Sequence, residues 1–145
     1  MPIDYVSDKG LGLSVTVIEG TITPDEWRAH VRRQLADPDW PAGPASLTDA
    51  RGANAVPNAQ PAIEEMAAMY AAKATQTRNT RFAAVATSAF ENARDFEETV
   101  EPGGTRSLTV TSLDVACAWL CVDRDTVDAL IQRVRASMNL RESAR

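Results

Sequence analysis

The sequence predicts an α/β fold: one domain with a mixed sheet of four or five strands, an N-terminal antiparallel hairpin followed by βαβαβ, and helices packed against it. Three observations carry this. Apolar and polar residues alternate on both sides of a turn near the start of the chain. Two short apolar runs, Ala45–Ala50 and Phe82–Ala86, are separated by a helical stretch, so a crossover joins them and they pair in parallel. A second helix and a last strand repeat that arrangement. The 145 residues suit one domain, and 44% apolar with 24% charged residues argues against disorder.

Ile3 to Ser7 is extended, Asp8-Lys9-Gly10 makes the turn, and Leu11, Leu13, Val15 and Val17 face the core. Gly12, Ser14 and Thr16 alternate with them on a side expected to be partly solvated. Thr23 as N-cap, Pro24 at the first helical position and Glu26 at the third make a capping box, in which side chains satisfy amides that the first turn leaves free. Trp27, Val31 and Leu35 share one face of that helix, which ends at Asp37-Pro38-Asp39-Trp40-Pro41.

The strand Ala45–Ala50 lies between Pro44 and Gly52 and is expected to end in a polar loop from Arg51 to Asn58. A helix from about Pro61 to Thr75 turns Ile63, Met66, Ala67, Tyr70 and Ala74 inward. Phe82–Ala86 reads as a central strand buried on both faces. Ser88 and Glu91 repeat the capping-box spacing before a helix with Phe90, Ala93, Phe96 and Val100, stopped by Pro102-Gly103-Gly104. Leu108 and Val110 mark the last strand.

A helix from Ser112 to Val122 buries Leu113, Ala116, Cys117 and Leu120. Val127, Leu130, Ile131, Val134 and Met138 then form a stripe that packs on this domain, on a second copy or on an apolar ligand, a homodimer being the expected consequence should it stand off from the body. Asp123 to Asp125 between the two helices is a kink or a cap. The domain spans residues 1–138, with 139–145 a frayed tail.

A net charge of −5 repels nucleic-acid phosphates and anionic membranes, so neither is an expected partner. The basic residues are 13 arginines and two lysines, a bias that points to genome composition rather than mechanism. No apolar run approaches the roughly 20 residues of a transmembrane helix, and Met1–Tyr5 has no leader pattern, so a cytoplasmic address is expected. Cys117 and Cys121, four apart on one helix, suit a disulfide badly and are expected to be reduced and mostly buried.

Four segments carry a family likeness: Gly20-Thr21-Ile22-Thr23, Leu47-Thr48-Asp49-Ala50-Arg51-Gly52, Arg81-Phe82-Ala83-Ala84-Val85-Ala86 and Ala116-Cys117-Ala118-Trp119-Leu120. With this element order the chain resembles the SpoIIAA-like proteins, relatives in fold of the STAS domains of anti-sigma-factor antagonists, also grouped with the Sec14 or CRAL-TRIO architecture. The resemblance covers roughly Ile3 to Val122. It implies a non-enzymatic binding or regulatory module acting through a protein partner, or alternatively a carrier of a lipid or small apolar ligand. STAS antagonists carry a phosphorylatable hydroxyl after the Asp-bearing strand. The corresponding stretch, Ala53 to Pro61, contains none, which puts a phospho-switch in doubt.

The candidate binding residues are Asp49, Arg51, Ser88, Arg94 and Trp40. Asp49 and Arg51 stand where a parallel strand gives way to a loop, the usual place for ligands near a topological switch, though the pair equally anchors a loop by itself. Ser88 opens a helix whose free amides favour an anion. Arg94 can join that anion or pair with Glu97 and Glu98, which with Glu101 form a solvated acidic face. Trp40, in a short loop, lines a pocket or an interface or plugs a helix end, and Trp27 and Trp119 read as core.

No catalytic constellation is present: an enzyme would have only Asp49, Ser88 and His30 to draw on, with no nucleophile elbow. His30 reads as a structural or surface residue. One histidine and two cysteines on a helix do not make a metal site. Gly103-Gly104 and Gly10-x-Gly12 lack the remaining residues of phosphate and dinucleotide loops, so no cofactor is expected.

Overall fold

The computed structural model describes residues 2–143. The elements are β1 (Ile3–Asp8), β2 (Leu13–Gly20), α1 (Pro24–Ala36), β3 (Ala45–Ala53), α2 (Gln60–Ala72), α3 (Ala74–Thr77), β4 (Arg81–Ala86), α4 (Phe90–Val100), β5 (Arg106–Val110), α5 (Leu113–Leu120) and α6 (Arg124–Ser143). They form one mixed five-stranded sheet in the order β1-β2-β3-β4-β5. The β1–β2 pair is antiparallel and every later pair is parallel. Ser46 stands opposite Phe82, so the two apolar runs lie side by side and run in the same direction.

The order of the strands decides where the helices go. Each parallel connection steps to the next strand without reversal, and crossovers of one hand then stack on one face. Accordingly Val31 and Leu35 of α1, Ile63 and Met66 of α2 and Phe96 of α4 share one apolar cluster. Residues from α5 and α6 share the other, with Leu13, Val15, Val17, Leu47 and Val85. The expected topological switch point is absent from this sheet, because no strand reverses the order.

The two faces of the sheet differ in kind. Toward α5 and α6 the strands present Leu13, Val15, Val17, Leu47 and Val85, nearly all sealed from solvent. Toward α1, α2 and α4 they present a central row of small side chains, with Thr16, Thr48, Ala84 and Thr109 aligned across four strands, and larger ones, Ile3, Tyr5, Ile18 and Phe82, around it. Ser14 and Thr16 are therefore not on a solvated side as expected but buried, Thr16 under α1, whose Gln34 Nε2 donates to Thr16 Oγ1 at 3.0 Å. Ser14 Oγ accepts from the backbone N–H of Ala42 at 2.9 Å. Strand β4, expected to be buried on both faces, is sealed only at Ala83, Val85 and Ala86, while Phe82 and Ala84 remain half-buried.

Local signals were obeyed unevenly. The first capping box forms, with Glu26 N–H donating to Thr23 Oγ1 at 3.1 Å and Thr23 N–H to Glu26 Oε1 at 2.9 Å. The second does not. Ala89 is the N-cap of α4, its methyl group packed into the core, and this turns Ser88 out to solvent. Strand β3 continues past Ala50 to Ala53, since Gly52 and Ala53 pair with Glu19 and Gly20 beyond a register shift in β2.

Between the last helices the chain breaks and is recapped. Cys121 takes a left-handed conformation at φ 59° and is exposed, so of the two thiols only Cys117 is buried. Asp123 Oδ2 accepts from Thr126 N–H at 3.0 Å, which makes Asp123 a cap rather than a kink. The α6 stripe from Val127 to Met138 is buried on the chain's own sheet. The helix runs on to Ser143, and Arg141 Nη1 lies 2.9 Å from Asp4 Oδ2, so the tail expected to fray from 139 is helical there. Its last two positions, 144–145, lie outside the described residues. Among the described residues no helix is long and apolar enough to cross a membrane.

Candidate functional site

The five residues singled out in the sequence do not come together. Asp49 lies inside β3, on the face beneath α6, rather than at a strand end. Its carboxylate is fully covered and accepts from Arg51 Nε at 2.8 Å, Arg51 Nη2 at 3.0 Å and Arg51 N–H at 3.2 Å. Arg135 of α6 reaches it at 3.3 Å and donates to Glu19 Oε1 at 2.7 Å. Burial alone pushes the Asp49 carboxyl up, but the hydrogen bonds and charge of Arg51, with the charge of Arg135, outweigh it and hold the group below the usual carboxylate range. The network ties α6 to the irregular ends of β2 and β3, and both oxygens face inward.

The other three are scattered. Ser88 is exposed in the turn after β4. Arg94 pairs with Glu97 at 2.9 Å and Glu98 at 3.0 Å. Glu97 is not the solvated acid expected: its side chain is 13% exposed, and Oε1 accepts from Thr109 N–H at 2.5 Å, pinning α4 to β5. Trp40 is buried as a plug, its ring 6.0 Å from Tyr70 and 5.8 Å from Phe82 between centroids. Among the described residues no group of three or more His, Cys, Asp or Glu side chains could hold a metal ion.

A different feature lies between the sheet and the helix layer of α1, α2 and α4: a cavity of about 110 Å³. Its floor is the row of small residues, Thr16, Thr48, Ala50, Ala84 and Ser107; Ile18, Val31, Tyr70 and Phe96 stand among its walls. The origin is geometric. Helices ride roughly 10 Å above a sheet, and short side chains on the strands cannot fill the gap. Thr48 and Ala84, at the middle of the two most central parallel strands, are only partly covered, whereas Leu47 and Val85 beside them are sealed.

Of the partly exposed lining residues, Thr48, Ala84 and Ser107 belong to the floor, and Trp27, Asn92, Ala93 and Phe96 belong to the helices above it, which places the mouth between the first turn of α1 and α4. Trp27 and Phe96 lie against each other there, centroids 5.8 Å apart. The Asn92 side chain accepts from Val56 N–H at 2.8 Å and donates to Val56 O at 2.9 Å, holding the segment after β3 against α4.

His30 lines this cavity from α1 and is buried, and neither ring nitrogen has a hydrogen-bond partner among the described residues. Burial pushes its pKa from 6.5 down to about 3, the Arg33 charge adding to the effect and Asp4 opposing it. The imidazole is therefore neutral at pH 7, with one donor and one acceptor nitrogen. Of the two roles read for His30, structural or surface, burial excludes the surface one, and its place on a cavity wall went unread. The signal was the spacing Trp27, His30, Val31, Gln34, Leu35, which places two polar side chains on the inward stripe of an amphipathic helix.

Compared with protein-family models, with curated proteins and with solved structures, the chain matches none.

Proposed function

We propose that the chain is a non-enzymatic binding module that holds one small apolar guest in the cavity beneath α1, α2 and α4. The observation that carries this reading is an apolar void over the middle of the sheet, where a domain of this kind ordinarily has its tightest packing. Size narrows the alternatives raised by the SpoIIAA-like resemblance. An apolar cavity of roughly 150 Å³ in another protein accommodates benzene, so about 110 Å³ suits a single small ring or short chain and not a whole membrane lipid.

A non-enzymatic role is favoured because Asp49, Ser88 and His30 lie respectively under α6, in an exposed turn and under α1, too dispersed to act on one substrate. The α6 stripe that suggested a homodimer is covered by its own sheet, which leaves the cavity as the stronger support for a ligand over a second copy. A cytoplasmic setting belongs to the same proposal.

Fluorobenzene is the first probe. Excess over the dissociation constant raises Tm by about 2–4 °C through mass action, and a ¹⁹F resonance shift reports entry into the cavity. Ala84→Leu, which extends a side chain into the floor, abolishes both effects. Wild-type protein that shows neither overturns the reading.

A further inference from the structure

We propose that His30 is the polar anchor of this cavity and that its guest is a neutral hydroxyl-bearing compound of ring size, a small phenol or cyclic alcohol, rather than a hydrocarbon or a carboxylate. The inference rests on the reading of the cavity as a binding site. Its own basis is which polar atoms of the lining are sealed from solvent without a partner; Thr48, Tyr70 and Ser107 also bring hydroxyls to the lining, and none of these is such an atom. Thr16 Oγ1 accepts from Gln34, and the Asn92 amide is engaged twice by Val56. His30 is the lining side chain that is deeply buried with both polar atoms unpartnered among the described residues. Such a group is costly to leave unsatisfied, so a guest that pairs with it gains both a hydrogen bond and relief of that cost.

The chemistry of the neutral ring then selects the guest. A neutral imidazole offers one N–H and one lone pair, and a hydroxyl, which both donates and accepts, can meet either nitrogen. Carboxylates fare worse, because a charge would enter apolar surroundings and no Lys or Arg is among the described residues that line the cavity. Arg33, whose charge acts on His30, lies outside the lining, where it donates to Asp4 Oδ1 at 2.7 Å and covers the Tyr5 ring at 4.9 Å, its buried Nε remaining unpaired among the described residues. No proton needs to move for a phenol to bind, so the complex forms with both partners uncharged.

The test compares phenol, fluorobenzene and benzoate on the same protein by calorimetry or ligand-observed NMR. Phenol is expected to bind wild type about ten-fold more tightly than fluorobenzene, with benzoate weakest. His30→Leu is expected to keep fluorobenzene binding and to bring the two affinities level; should it fail to fold, His30→Phe serves. In wild type, phenol moves the His30 imidazole ¹⁵N resonances and fluorobenzene leaves them in place. Equal affinity for phenol and fluorobenzene, a preference that survives in the His30 variant, or benzoate binding as tightly as phenol overturns the anchor while leaving the cavity reading intact. Failure of every probe to bind overturns both.

Discussion

The rings of His30 and Tyr5 meet edge to face, with centroids 5.6 Å apart and planes at 83°. Tyr5 is fixed from its far end, where the hydroxyl donates to Asp37 Oδ2 at 2.6 Å. Burial and that carboxylate push the Tyr5 hydroxyl pKa up to about 12, so it remains a donor throughout the working range. The His30 ring is thus buried between β1 and α1 against a tyrosine that is itself anchored.

A pH dependence follows from the His30 shift. The folded-state pKa is about 3 against 6.5 in the unfolded chain, so on acidification the unfolded state takes up the proton first. Stability is at its plateau above pH 6.5 and falls toward pH 3, by about 1.4 kcal/mol per pH unit once well below 6.5. His30 is the one histidine in the chain, so the upper part of this interval, above about pH 5, reports on it before the carboxylates titrate, and below that the difference from a His30 variant isolates its share. Urea midpoints at pH 7, 5.5 and 4.5 give the slope, and His30→Phe flattens it. An equal slope in that variant contradicts the burial of a neutral imidazole.

Asp49 predicts a different acid window and a different mutational cost. Its folded pKa lies below the unfolded value of 3.8, so its contribution is present above that pH and is lost as pH falls through the folded pKa. Asp49→Ala leaves Arg51 without its carboxylate and Arg135 with Glu19 alone, each with about a third of its side chain exposed, and costs roughly 2 kcal/mol by urea denaturation at pH 7. Fluorobenzene binding survives, since the cavity lies on the opposite face of the sheet. A loss below 0.5 kcal/mol would show that the network is dispensable.

The two capping-box sequences give a paired comparison. Thr23→Ala removes an acceptor that Glu26 N–H uses and costs about 1 kcal/mol. Ser88→Ala, at a site that caps nothing, leaves the melting temperature within error. Equal effects of the two changes would contradict the observed start of α4 at Phe90.

Periodicity made most of the architecture legible. Ser46 opposite Phe82, the hairpin before them and the Thr23 box all follow from apolar spacing and turn chemistry that act within a few residues. What stayed hidden depends on contacts between distant segments. The register shift that carries β3 on to Ala53 is set by β2, and nothing in Arg51-Gly52-Ala53 alone announces it. Ser88 has the spacing of a cap, but the burial of Ala89 decides where the helix begins. Ser14, Thr16 and Thr48 look like residues for water, because a small polar side chain reports its size and polarity and not the helix that later covers it.

The contrast between the sheet's two sides has a further result. Branched residues packed under α5 and α6 secure the strands from behind, so the shape of the front chamber can be recarved while its scaffold stays in place. A methyl group added at Ala84 or removed at Thr48 reshapes that chamber, much as changing the wards of a lock leaves its casing untouched. In the proposed binding role, selectivity would be written in a handful of short side chains, with new preferences reachable by single substitutions.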